Sequence, residues 1–173
     1  MTFLILIPPK NFTDETLSEV KLFFDKWKVD YKLASYSKDI CEGAHGAVYK
    51  QDVNANRVSV NDYEGIVLID GKGIDEYKLY EYRPLLDMLA QFNSLGKTIC
   101  AIGNASVILA RSNIINNKKI AVPKNEEIVR LILLFHGLPS QNNIEFSNNI
   151  ITINGSKKVG EYIYEMLKYI NKI

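Results

Sequence analysis

The chain has 173 residues, 47% of them hydrophobic and 24% charged, the composition of a globular protein rather than of a disordered or fibrous one. Its 21 basic and 20 acidic side chains leave a net charge of +1, which excludes the basic footprint of a nucleic-acid binder or of a protein drawn to anionic membranes. No apolar run approaches the roughly 20 residues that span a bilayer, and two cysteines without a CxxC pair make no disulfide framework, so the expected setting is a reducing cytoplasm.

In chain order, Phe3 to Ile7 is a continuous apolar run, too short for a secretory signal and suited to a strand buried on both sheet faces. Pro8 and Pro9 stop it, because neither can donate to a ladder. Thr13, Asp14 and Glu15 suit a helix N-terminus, where acceptors and negative charge meet unpaired N–H groups. Leu17, Val20, Phe24 and Trp27 then share one helical face. Tyr31 to Ser37 reads as a second strand, and the glycine-marked stretch from Gly43 to Val53 as a small hairpin outside the main sheet. Gly65 to Asp70 is another doubly buried strand, ending in Gly71-Lys72-Gly73. Tyr77 to Ser94 has a helical period, with Pro84 at a start or a kink. Lys97 to Ile102 returns to strand and Asn104 to Arg111 to helix. Lys119 to Val122 reads as a short strand, and Asn125 to His136 as an amphipathic helix closed by Gly137. Asn148 to Gly155 supplies a last strand and Ser156 to Ile173 a last helix. Without repeats or linkers, residues 1–173 read as a single domain.

This alternation implies an α/β fold, with a mostly parallel sheet between helical layers and right-handed crossovers. Ligands in such sheets bind beyond the carboxyl ends of the strands. Three loops lie there: Pro8 to Thr16, Gly71 to Ile74, and Gly103 to Ser106.

Those loops carry a resemblance. NFTDETL after the first strand, CEGAHGAV in the hairpin, DYEGIVLIDGKG, LGKTICAIGNASVILA and the closing NNIITINGSKKVGEYIYEML together resemble the ThiJ/PfpI family of the class I glutamine amidotransferase-like superfamily, over nearly the whole chain. The resemblance implies a flavodoxin-like three-layer sandwich with a small accessory hairpin. It also implies a strand-turn-helix nucleophile elbow bearing a cysteine, a first-loop glutamate that contacts it, and a glycine N–H serving as oxyanion donor. Family activities are peptidase, glyoxalase or deglycase, and chaperone-like. Homodimers or higher oligomers are the implied assemblies.

Carried over by position, the resemblance puts Gly103 at the cysteine and Asn104 at the next residue, which is often histidine. The first-loop pattern Phe-x-Asp-x-Glu keeps Phe12 and Asp14 but has Thr16 for the glutamate; Glu15 is one residue early. Gly71 matches the oxyanion glycine. An elbow holds its residue in a sparsely allowed conformation, costing a residue with a side chain about 1–3 kcal/mol. Glycine avoids that cost. Gly103 therefore reads as a retired elbow.

No other group is an evident replacement. Cys100 falls inside a strand, where a free cysteine is usually buried and inert. Ser106 lacks an adjacent base. His136 sits at a helix end, where the macrodipole favours it. His45 and Cys41, four apart in the hairpin, are two candidate ligands where zinc needs at least three. No metal and no cofactor is expected. Gly71-Lys72-Gly73 lacks the spacing of a phosphate loop, and Lys72 reads as a solvated lysine.

Two functional readings remain. One is a catalytically inactive binding, scaffold or chaperone-like module whose elbow, with Gly71, Gly103, Asn104 and Ala105, offers backbone N–H groups to a small anion. The other is a hydrolase or glyoxalase-type enzyme with a rearranged site, using Glu15 and water.

Overall fold

The computed structural model describes residues 2–155 and 157–173. Its strands are β1 (Thr2–Leu6), β2 (Lys10–Phe12), β3 (Asp30–Ser35), β4 (Ile40–Gly43), β5 (Val48–Lys50), β6 (Val53–Asn54), β7 (Tyr63–Leu68), β8 (Thr98–Ile102), β9 (Lys119–Ala121), β10 (Leu138–Ser140), β11 (Ile144–Ser147) and β12 (Ile150–Ile153). Its helices are α1 (Asp14–Lys26), α2 (Gly73–Glu76), α3 (Arg83–Ser94), α4 (Ser106–Arg111), α5 (Glu126–Leu134) and α6 (Val159–Tyr169).

Seven strands form the central sheet in the order β11-β12-β8-β7-β1-β3-β6. All its pairings are parallel except β11 with β12. Side chains alternate across a strand, so each apolar run feeds two cores. Leu4, Leu6, Ile66, Leu68, Ile99 and Ala101 pack with α3, α4 and α5 on one face. Phe3, Ile5, Val67, Ile69, Cys100 and Ile102 pack with α1 and α6 on the other. The result is a flavodoxin-like α/β sandwich of three layers.

Several elements differ from the sequence expectation. The accessory hairpin is β4 with β5, and β2 joins it to make a three-stranded side sheet. Val53 leaves that hairpin for the main-sheet edge, pairing with Ala34. The helix expected from Tyr77 starts only at Arg83, with Pro84 in its first turn, because proline has no N–H to give to a preceding turn. Ahead of it stand α2 and a 3₁₀ turn, Leu79–Glu81, behind a left-handed Lys78. Lys119 to Ala121 pairs with β10 apart from the main sheet. At the end of α5 the left-handed residue is His136, with φ +63°, rather than Gly137; the His136 and Gly137 N–H groups bond back to Leu133 and Ile132. The sequence expectation lacks β11, an antiparallel edge strand, although Ile144, Glu145, Phe146 and Ser147 alternate apolar and polar. Ser156, the expected start of the last helix, lies outside the described residues; α6 begins at Val159. No helix among the described residues is long and apolar enough to cross a membrane.

Candidate functional site

Four strand ends converge at one point of the sheet. β8 ends at Ile102, and Gly103 turns the chain through φ +57° into a 3₁₀ turn, Gly103–Ala105, that runs into α4. β7 runs through Ile69 to Asp70 and Gly71. β12 is followed by Asn154 and Gly155. The segment after β1 crosses the group, and the Thr13 N–H donates to the Asp70 carbonyl at 2.9 Å.

Asp70 occupies the space at the elbow. A Cβ on Gly103 would lie 2.6 Å from Asp70 Oδ2 and 2.9 Å from Asp70 Cβ. Gly155, with φ +86°, closes the other side; a Cβ there would stand 3.1 Å from Gly103 Cα and 3.5 Å from Asp70 Oδ2. Asp70 Oδ1 is buried and has no hydrogen-bond partner among the described residues. Burial pushes the Asp70 carboxyl above the usual carboxylate range; the Thr16 and Thr13 hydroxyls pull against that, and the Glu15 charge adds to it.

The oxyanion position is also engaged. The Gly71 N–H donates to Asn104 Oδ1 at 3.0 Å, and Asn104 Nδ2 returns a bond to the Gly71 carbonyl at 2.9 Å. This reciprocal pair fastens the β7 loop to the elbow. Gly71 has φ +146°, and a side chain there would press on Phe12 Cα at 2.7 Å, so the close approach of the first loop explains this glycine.

The remaining candidates separate into two groups. Thr16 and Ala105 are buried at the site. Ser106 is buried too, its hydroxyl donating to the Gly103 carbonyl at 3.1 Å. Glu15, by contrast, is 63% exposed and bound to His45 Nδ1 at 2.6 Å. A backbone N–H at the helix start, then His45, hold Glu15 below its ordinary range, and Glu15 raises His45. Asp14 acts structurally. Its carboxylate accepts the N–H of His45 at 3.1 Å and of Ala47 at 2.9 Å, pinning the accessory hairpin to α1. Lys72 is exposed.

Both cysteines are fully buried. Burial pushes the Cys100 thiol up to about 12 and raises Cys41 as well, so neither offers the thiolate that is the nucleophilic form. Among the described residues, no three His, Cys, Asp or Glu side chains stand close enough together to hold a metal ion.

Sequence reasoning missed Asp70 and Gly155. A signal for the first was present: a lone carboxylate closing the apolar strand GIVLID, on the sheet edge where ligands bind.

The DJ-1/PfpI family profile matches residues 1–168. An uncharacterized protein of Methanocaldococcus jannaschii is 28% identical over 169 residues, which cover 98% of this chain and 82% of the relative. An uncharacterized protein of Archaeoglobus fulgidus is 19% identical, over 92% of this chain and 95% of its own. Among solved structures, a ThiJ/PfpI domain protein from Brachyspira murdochii superposes with a TM-score of 0.91 at 20% identity, covering 99% of this chain and 97% of that one. Drosophila melanogaster DJ-1beta superposes with a TM-score of 0.85 at 15% identity, covering 99% and 91%. At these identities the two superpositions establish a common fold.

Proposed function

The chain belongs to the DJ-1/PfpI family, and from that premise we propose that it is a member without thiol chemistry, acting as a binding or scaffold module through its strand-end cluster. One observation carries this reading: the volume into which a residue-103 side chain would project is filled by the Asp70 carboxylate. The positive φ of Gly103 is the backbone of an elbow, but no nucleophile stands on it. The Gly71 N–H that would serve as oxyanion donor is given to Asn104.

The alternative, an enzyme working through Glu15 and water, is less well supported. A general base must reach the proton that it abstracts, and Glu15 is exposed and occupied by His45. The Asp70 carboxylate also weighs against a small anion at the elbow, since like charges oppose each other most where water is scarce. Self-association as a twofold pair stays part of the proposal, on the family resemblance and the frequency of such assemblies.

The test is methylglyoxal consumption by the wild type beside a Cys41→Ser/Cys100→Ser double variant. The expected result is no turnover by either. Robust turnover that disappears in the double variant would overturn the reading. Turnover that survives it and falls with Glu15→Gln would establish the water-using enzyme instead.

A further inference from the structure

We propose that the cavity walled by Tyr36, Tyr77 and Tyr82 is a second binding site, for a planar aromatic ligand that carries one carboxylate. None of its lining residues belongs to the elbow cluster, so this site stands or falls apart from that one.

The cavity opens beyond the carboxyl ends of β1 and β3, on the edge of a parallel sheet where ligands bind. It measures about 490 Å³ and is lined in part by Pro9, which follows β1, and by Tyr36 and Lys38, which follow β3. That size falls within the roughly 300–1,000 Å³ of small-molecule sites. The segment joining α2 to α3 adds Tyr77, Leu79 and Tyr82.

The walls are aromatic and held in place. Tyr36 and Tyr82 meet edge to face, with ring centroids 4.6 Å apart and planes at 76°. Whichever ring gives its edge keeps both faces clear of the other, so the pair presents aromatic surface instead of sealing it. The Tyr82 hydroxyl donates to Asn56 Oδ1 at 3.1 Å, which fixes that ring. Tyr82 is 37% exposed and Tyr77 42%, while buried Leu79 adds apolar surface. The Tyr36 hydroxyl is itself buried, so this residue offers its ring alone. Fixed rings open to solvent suit a flat apolar partner that stacks on them.

The charge of the site chooses the ligand's sign. Lys38 is the one charged side chain on the lining, and among the described residues no carboxylate pairs with it. Its loop is anchored next door. The Ser37 carbonyl accepts from Gln51 Nε2 at 2.9 Å and Asn54 Nδ2 at 3.2 Å, and Ser37 Oγ donates to the Ile40 carbonyl at 2.8 Å. Tyrosine faces alone would also attract a cation, but Lys38 opposes one. A phosphate would call for more donors than a single ammonium gives. A carboxylate on a fused ring satisfies both the walls and the lysine.

The probe is 2-naphthoate, titrated into the ¹⁵N-labelled full chain while the Lys38 and Leu79 amide resonances are followed. Saturable shifts are expected at both, with the Gly103 and Gly155 amides at the elbow unmoved. Cyclohexanecarboxylate keeps the charge without an aromatic face, and 2-naphthalenemethanol keeps the rings without the charge; each should bind more weakly. Lys38→Gln should weaken 2-naphthoate about two- to fivefold, the size of an exposed charge pair, and leave 2-naphthalenemethanol unchanged. Tyr82→Leu should weaken both naphthalenes at least about threefold. Because Tyr82 caps α3, Tyr77→Leu carries that arm if Tyr82→Leu does not fold. No saturation, equal affinity for the three compounds, or shifts centred on the elbow would overturn the proposal. So would Lys38→Gln acting on neither naphthalene or equally on both, or unchanged affinity in the tyrosine variants. None of these outcomes bears on thiol chemistry, which methylglyoxal turnover tests separately.

Discussion

Asp70 and Gly103 exclude each other's larger forms: a Cβ on Gly103 would fall 2.6 Å from Asp70 Oδ2. The elbow glycine and the strand-end carboxylate are therefore one structural choice rather than two. Either residue can be understood only with the other in place.

Gly103→Ala should destabilise the protein on two counts. A non-glycine residue at φ +57° costs about 1–3 kcal/mol, and the added methyl must displace a packed carboxyl. Urea unfolding of Gly103→Ala, Asp70→Gly and the double variant would measure both parts. The double variant should lose less than the sum of the singles, because contacting residues couple. Strict additivity would show that the collision is relieved by backbone movement.

Asp70→Asn should raise thermal stability at neutral pH. Burial lifts the Asp70 pKa in the folded state, so the folded protein holds this proton more tightly than the unfolded chain does. Below the unfolded pKa both states are protonated and the group adds no penalty. As pH rises through the raised folded value, the charged form disfavours folding. The stabilising effect of Asp70→Asn should therefore be largest at neutral pH and shrink on acidification. Melting temperatures of both proteins across that range check the sign.

Asp14→Ala should loosen the accessory hairpin. It removes two hydrogen bonds to a charged acceptor, from His45 N and Ala47 N, and such bonds contribute about 1.5–3 kcal/mol each where buried. Their partial exposure puts the expected loss at the lower end. Hydrogen exchange should accelerate at the amides of residues 43–47 and leave the central sheet protected. Glu15→Gln should change stability little, since its ion pair with His45 is exposed and screened.

Cys100→Ser should be costlier than Cys41→Ser. Cys100 is buried with nothing but desolvation acting on it, whereas Ser35 and Ser37 stand within hydrogen-bond reach of Cys41. A serine at residue 41 finds partners; one at residue 100 buries an unsatisfied hydroxyl, at about 1–3 kcal/mol. Chemical denaturation of the two single variants separates them.

Sedimentation at micromolar concentration should show a species of twice the mass of the 19.7 kDa chain, as a specific interface of standard size survives there. A lone monomer would count against self-association.

Local sequence determined most of the scaffold. Runs such as Phe3 to Leu6, Gly65 to Ile69 and Ile99 to Ile102 are apolar at successive positions, and only a strand covered on both faces buries them all. Alternation with amphipathic helices then implies a parallel sheet, and the glycine between strand and helix marks Gly103 as a bend. Pairings far apart in sequence were decided only in the tertiary structure. Nothing local joins Lys10–Phe12 to the hairpin, Val53 to Ala34, or Asn104 to Gly71. Asp70 shows the limit most clearly. In the sequence it is one carboxylate at the end of a strand; its burial and its raised pKa arise because Thr13, Thr16, Gly103 and Gly155 arrive from three other strand ends. Desolvation depends on everything that excludes water from a group, and for Asp70 those residues are spread over 143 positions of the chain, from Thr13 to Gly155.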